Sequence, residues 1–106
     1  MRVLLDECVP VQVARALAGH EVRTTVGEGW RSMGNGELLR RAEGAGFAVF
    51  VIADKNLRYQ QNLSGRRIAI VELWTNHRPT LEAAAGRIRA AVERAAPGEY
   101  VTVASE

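Results

Sequence analysis

Residues 47–52, Phe-Ala-Val-Phe-Val-Ile, form an unbroken apolar run of strand length. A strand with one wet face alternates apolar and polar residues. An unbroken run fits a strand covered on both faces, as in a parallel sheet flanked by helices. The run stops at Ala53-Asp54-Lys55-Asn56, and the chain opens in the same manner, with Val3-Leu4-Leu5 followed by Asp6 and Glu7. Two buried strands that each end in a carboxylate constrain this chain more than any other feature. Sites in open parallel sheets lie just beyond the carboxyl ends of the strands. If the two strands are neighbours, Asp6 and Asp54 face one another across a small gap. Such carboxylates repel unless a positive charge stands between them, and a divalent metal ion is the usual solution.

At 106 residues the chain has room for one core, so a single domain over 1–106 is expected. The net charge of +2 permits a nucleic-acid partner without requiring one, because no block of like charge is present. Lys55 is the only lysine among the 14 basic residues; the arginines offer planar forks suited to phosphate. Cys8 is the single cysteine, which excludes an intrachain disulfide and fits a reducing cytoplasm. No apolar run reaches the roughly 20 residues of a membrane span, so no membrane partner is expected.

Taken in order, residues 2–5 read as the first strand. Pro10 stands where a helix can begin, Val13, Ala14, Leu17 and Ala18 follow at helical spacing, and Gly19 closes it. Residues 21–26 form a second, more polar strand expected near an edge. Residues 27–36 make a glycine-rich loop carrying Trp30 and Met33, long enough to be functional. Asn35 is placed to cap the next helix and Glu37 to meet its positive end; Leu38, Leu39, Ala42 and Ala45 supply the buried face. After the apolar run, residues 57–63 are polar, with one or two helical turns. A fourth strand spans 68–71 and ends at 72–74. One helix is expected over 80–95, buried through Leu81, Ala84, Ala85, Ile88, Ala91, Val92 and Ala95, and a last strand over 100–103. This alternation predicts an α/β fold with a mostly parallel sheet of about five strands, helices on both faces, and the strands at 2–5 and 47–52 in its middle.

Three stretches carry a resemblance: Leu4-Leu5-Asp6-Glu7, Asn35-Gly36-Glu37-Leu38-Leu39 entering a helix, and Ile52-Ala53-Asp54-Lys55-Asn56-Leu57 after a buried strand. Together they resemble the PIN-like families, in particular small, compact PIN-like proteins related to ribonuclease toxins of toxin–antitoxin pairs. The likeness runs from Arg2 to about Trp74. It implies a three-layer α/β/α Rossmann-like sandwich with an acidic cluster that holds Mg²⁺ or Mn²⁺ for hydrolysis of RNA phosphodiesters. On that resemblance Asp6, Glu37 and Asp54 are the catalytic and metal-binding positions. The chain departs from the pattern at Asn35 and Asn56, where such families often carry aspartates. An amide oxygen can ligate a hard cation but brings no charge.

The chemistry asks little of the protein. Mg²⁺ keeps several waters, so one or two carboxylates plus a substrate phosphate complete its shell. Asp6 and Asp54 are expected as direct ligands, with Glu37 or Glu7 orienting a water and Asn35 and Asn56 nearby. Lys55, Arg58, Arg66 and Arg67 are expected to hold the backbone of a single-stranded RNA. Each of these residues also has an ordinary reading. Glu37 can serve the helix dipole alone, Asn35 a cap, and the arginine pairs a solvated face. His20 reads as structural, whereas His77 falls on the site side of the sheet. An antitoxin protein and a homodimer are the expected partners, the dimer resting on Trp30, Met33 and Trp74 as an exposed apolar patch. A nucleic-acid- or protein-binding module without hydrolytic activity is the alternative, supported by Asn35 and Asn56.

Overall fold

The computed structural model describes residues 1–53 and 66–104. Five parallel strands form one sheet: β1 (Arg2–Leu5), β2 (Glu21–Thr24), β3 (Val49–Ile52), β4 (Ala69–Leu73) and β5 (Tyr100–Val103), in the order β2-β1-β3-β4-β5. The two strands that end in acids are neighbours, with Leu5 in register with Val51. β2 lies on the edge, where its polar pattern belongs. Every residue of β3 and β4 is buried, as an inner parallel strand requires.

Strand alternation divides the core in two. Val3, Leu5, Val49, Val51, Val71 and Leu73 point to one face, covered by a 3-10 helix (Val11–Leu17), α2 (Arg78–Ala83) and α3 (Ala85–Arg94). Leu4, Phe50, Ile52 and Ile70 point to the other, where α1 (Asn35–Gly44) contributes Leu38, Leu39 and Ala42. Helices therefore cover both faces of the sheet.

The first crossover differs from its expected form. It is a 3-10 helix, opened by a Val13 N–H bond to the Pro10 carbonyl. A 3-10 helix rises about 2.0 Å per residue, so seven residues cover about 14 Å, the length of a four-residue strand at about 3.3 Å per residue. The tighter helix returns the chain across the sheet in the fewest residues while still burying Val13 and Leu17. The helix expected over 80–95 is two: Ala84, at φ −103° and ψ 17°, separates α2 from α3, and Gly86 follows where helix propensity is weak. The break turns both helices onto the same face, and Leu81, Ala84, Ile88, Ala91 and Val92 are all buried as their spacing predicts.

The tryptophans are used inside the chain. Trp30 packs edge-on to Phe47, with ring centres 6.1 Å apart, and Trp74 packs against the opposite cluster with Arg87 5.0 Å over its ring. The exposed large apolar residues on the described surface are instead Met1, Val11 and Val26. No helix among the described residues is long and apolar enough to cross a membrane.

Candidate functional site at the carboxyl edge of the sheet

Asp6 is fixed by the backbone before its side chain is considered. Its N–H donates to the Val51 carbonyl at 2.9 Å, extending the β1–β3 pairing by one residue, and its carbonyl accepts the Val9 N–H at 3.0 Å as the chain turns away. The carboxylate is half-buried, and its Oδ2 accepts the Cys8 thiol at 2.9 Å. Glu7 points outward to the glycine-rich loop. There it accepts the Ser32 N–H at 3.4 Å and stands 3.8 Å from the Arg31 guanidinium. Ser32 holds a left-handed backbone, φ 63°, so the loop makes its turn at the residue that Glu7 holds.

Beside Asp6, the N–H of Thr25 donates to the Leu5 carbonyl, which continues the β1–β2 register past Thr24. The Thr25 side chain is 1 % exposed and its Oγ1 has no hydrogen-bond partner. A buried hydroxyl without a partner is costly. Nothing in the sequence marks this threonine apart from its neighbour Thr24, whose hydroxyl accepts the Gly27 N–H at 2.9 Å.

α1 begins on the same side of the sheet. Its N-cap is Gly34, in extended backbone, and Asn35 is the first helical residue rather than the cap. The first helical bond runs from the Leu38 N–H to the Gly34 carbonyl at 2.8 Å, a position that glycine fills without a capping side chain. Glu37 lies in the first turn, exposed, and pairs with Arg41 one turn on at 3.7 Å. His77 also reaches this side, N-terminal to α2, where its Nδ1 lies 2.8 Å from the Thr80 hydroxyl. His20 is at the other end, bonded to Glu93 at 2.8 Å, as its structural reading requires. That bond, with Arg89 adding to it, holds the Glu93 carboxyl below the usual range against some desolvation.

The expected cationic wall divides. Asp54, Lys55, Asn56 and Arg58 lie outside the described residues. Arg66 and Arg67 precede β4, so they sit at the amino edge of the parallel sheet, opposite Asp6. The Arg67 carbonyl accepts the Gly98 N–H at 2.9 Å, and Glu43 at the end of α1 accepts the N–H of Arg67 and of Ile68. These arginines shape the start of β4 and do not join the acids. The expected parallel direction of the fourth strand already implied this, since residues that precede a parallel strand lie at its amino edge.

Glu72, at the expected end of the fourth strand, is an acid that the sequence reading did not single out. β4 runs on to Leu73, so Glu72 is a strand residue, 7 % exposed, whose Oε1 accepts the hydroxyl of Tyr100 from β5. A lone glutamate within Ile-Ala-Ile-Val-Glu-Leu was the available signal.

Elsewhere, a groove of about 240 Å³ lies between the 3-10 helix and α2, with Pro10, Val13, Arg15, Arg78, Leu81 and Ala85 among its lining.

Among the described residues, no three His, Cys, Asp or Glu side chains gather closely enough to hold a metal ion. Around Asp6 stand the unpartnered Thr25 hydroxyl, a hard oxygen donor, and the Cys8 thiol, a soft one. Asp54, the other expected ligand, lies outside the described residues. Comparison with protein-family models, with curated proteins and with solved structures finds no match to this chain.

Proposed function

We propose that the chain is a divalent-metal-dependent nuclease that hydrolyses RNA, built on Asp6 and Asp54. The observation that carries this reading is the place of Asp6: a half-buried carboxylate at the carboxyl end of an inner parallel strand, adjoining β3 and beside a buried hydroxyl without a partner. Asp54 follows Ile52, the last residue of β3, by two positions in the sequence.

Mg²⁺ or Mn²⁺, when bound, supplies a Lewis acid for the phosphoryl oxygen and lowers the pKa of an attacking water. The protein's part is to hold charge in place. Asp6 contributes a carboxylate fixed by β1 and oriented by the Cys8 thiol. Glu7 anchors the loop over the edge, and Glu37 presents an acid from the start of α1. Lys55 and Arg58 follow Asp54 closely enough in sequence to meet the RNA backbone. The resemblance further suggests a toxin of a two-gene pair, cytoplasmic, with an antitoxin partner and a homodimeric form.

Cleavage of single-stranded RNA with Mg²⁺ or Mn²⁺ tests the reading, comparing the wild type with Asp6→Asn and Asp54→Asn. A loss of at least about 100-fold in both variants is expected, the scale of a metal's contribution of several kcal/mol. Equal activity in all three proteins that survives chelation overturns it.

A second reading, a binding module without hydrolysis, is favoured by Asn35 and Asn56, which remove two negative charges from the expected cluster. It requires no heat on titration with millimolar Mg²⁺ or Mn²⁺, together with salt-sensitive RNA binding.

A further inference from the structure

The turn after β2 presents two side chains that its own chain does not use. Val26 is 50 % exposed, one of the few large apolar residues open on the described surface. Glu28, two residues on, is the only charge between Thr24 and Trp30, and its carboxylate has no partner among the described residues. The turn is held from within. The Glu28 N–H donates to the Thr24 carbonyl at 3.0 Å, and the Gly29 N–H to the Val26 carbonyl at 3.1 Å. The Trp30 N–H closes it on the Thr25 carbonyl at 2.8 Å. A turn already fixed loses little freedom when it docks.

The groove between the 3-10 helix and α2 offers the complementary surface. Val13 and Leu81, both buried, give it an apolar floor. Its volume of about 240 Å³ exceeds the roughly 150 Å³ that takes a benzene-sized group and falls short of the roughly 300 Å³ where drug-sized sites begin. That is room for an apolar side chain rather than a cofactor. Arg15 and Arg78 also line it, and both face one carboxylate: Glu82 Oε2 stands 4.0 Å from Arg15 and 3.5 Å from Arg78. Neither guanidinium makes a hydrogen bond among the described residues. Two cations against one anion leave one positive charge unanswered, and the missing partner is a second carboxylate.

We propose that a second copy of this chain fills the groove. Val26 of each protomer enters the groove of the other, and Glu28 there meets Arg15 and Arg78, in a closed two-fold dimer. A surface that carries both the plug and the socket is what a two-fold interface requires. The two also lie at one end of the molecule. The turn follows β2, while Pro10 and Arg78 begin the helices that follow β1 and β4, so all stand at the carboxyl edge. The apolar contact supplies most of the affinity, and the charges fix the register. One valine and one carboxylate from each side make a contact below the roughly 1,600 Å² of a standard interface, so the dimer is reversible, with a Kd of about 0.1 mM. The inference is independent of the nuclease reading, and it puts the contact away from Trp30 and Trp74, which pack within their own chain.

Sedimentation velocity of the full chain from about 10 µM to about 1 mM is the test. The wild type is expected to pass from the mass of one chain to that of two and no further. Val26→Ser is expected to raise the Kd about tenfold or more, because both contacts lose a branched apolar side chain. Glu28→Arg and Arg78→Glu, each alone, set like charges against each other in both contacts, and a similar rise is expected. An equimolar mixture of those two variants is expected to regain the wild-type Kd within about threefold, since both contacts then pair opposite charges. A wild type that stays a single chain at about 1 mM overturns the inference. So does a Kd unchanged by Val26→Ser or by the reversals, or a mixture no tighter than its components. A mass that keeps growing past two chains also overturns it, as the mark of an open head-to-tail assembly. Circular dichroism checks the fold of each variant; if Arg78→Glu does not fold, Arg15→Glu replaces it in the same mixture.

Discussion

The carboxylate of Glu43, in the last turn of α1, accepts the backbone N–H of Ile68 at 3.1 Å and that of Arg67 beside it. One side chain thus ties the end of a helix to the start of β4, two elements that no short loop joins. The Arg67 bond, chiefly, and then the Ile68 bond and the charges of Arg66 and Arg67, hold its pKa below the usual carboxylate range, against some desolvation.

Glu43→Ala is expected to destabilise the fold by about 1 kcal/mol, the scale of a lost side-chain cap. A carboxylate depressed in the folded state contributes in full above its unfolded pKa, about 4.3, and loses that contribution as pH falls through the folded value. Between about pH 5 and pH 3 the wild type should therefore lose more stability than Glu43→Gln. Melting curves across that window measure the difference, and parallel curves would remove Glu43 from the acid response.

Thr25→Val is expected to stabilise the metal-free protein by about 1 kcal/mol, because it removes a buried hydroxyl without a partner and keeps the shape. Urea unfolding reads the change as a shift in midpoint. A loss of stability instead would mean that the hydroxyl has a partner in solution.

Gly98→Ala should be far more damaging than Gly29→Ala. Both glycines have left-handed backbones, φ 77° and 79°, but a Cβ on Gly98 would lie 2.7 Å from the Arg66 carbonyl oxygen, whereas one on Gly29 meets nothing within 4 Å. The expected cost is about 1 kcal/mol at Gly29 and clearly more at Gly98, where backbone must move as well. Paired chemical denaturation of the two variants checks the order.

Phe50→Ala empties the centre of the cluster under α1, where Phe50 is fully buried. A loss of about 3–5 kcal/mol is expected, a large part of the roughly 5–15 kcal/mol that holds a domain together. Circular dichroism at 25 °C should show a partly or wholly unfolded population.

Trp74→Ala is expected to lower the melting temperature without changing the molecular mass seen by light scattering, because Trp74 packs on its own chain's core and under Arg87. A dimer that dissociates on this substitution would place Trp74 in an interface.

Much of this architecture is written locally. The apolar runs at 3–5 and 47–52 identify inner strands because a strand covered on both faces has no polar alternation to keep. The polar pattern of β2 likewise marks an edge. Leu81, Ala84, Ile88, Ala91 and Val92 give their shared face through spacing alone. The carboxyl-edge position of Asp6 follows as soon as its strand is parallel and interior. Other properties depend on distant parts of the chain. The order β3-β4-β5 is set by which strands pair. The 3-10 crossover answers the span between elements, and the break at Ala84 falls beside Gly86, a weak helix former, inside a pattern that spacing alone reads as continuous. Glu72 and Thr25 acquire their neighbours only through register, which sets residues up to 66 positions apart in sequence, Asp6 and Glu72, into one row with Ile52. Burial and hydrogen bonding are properties of that row, and no local stretch contains it.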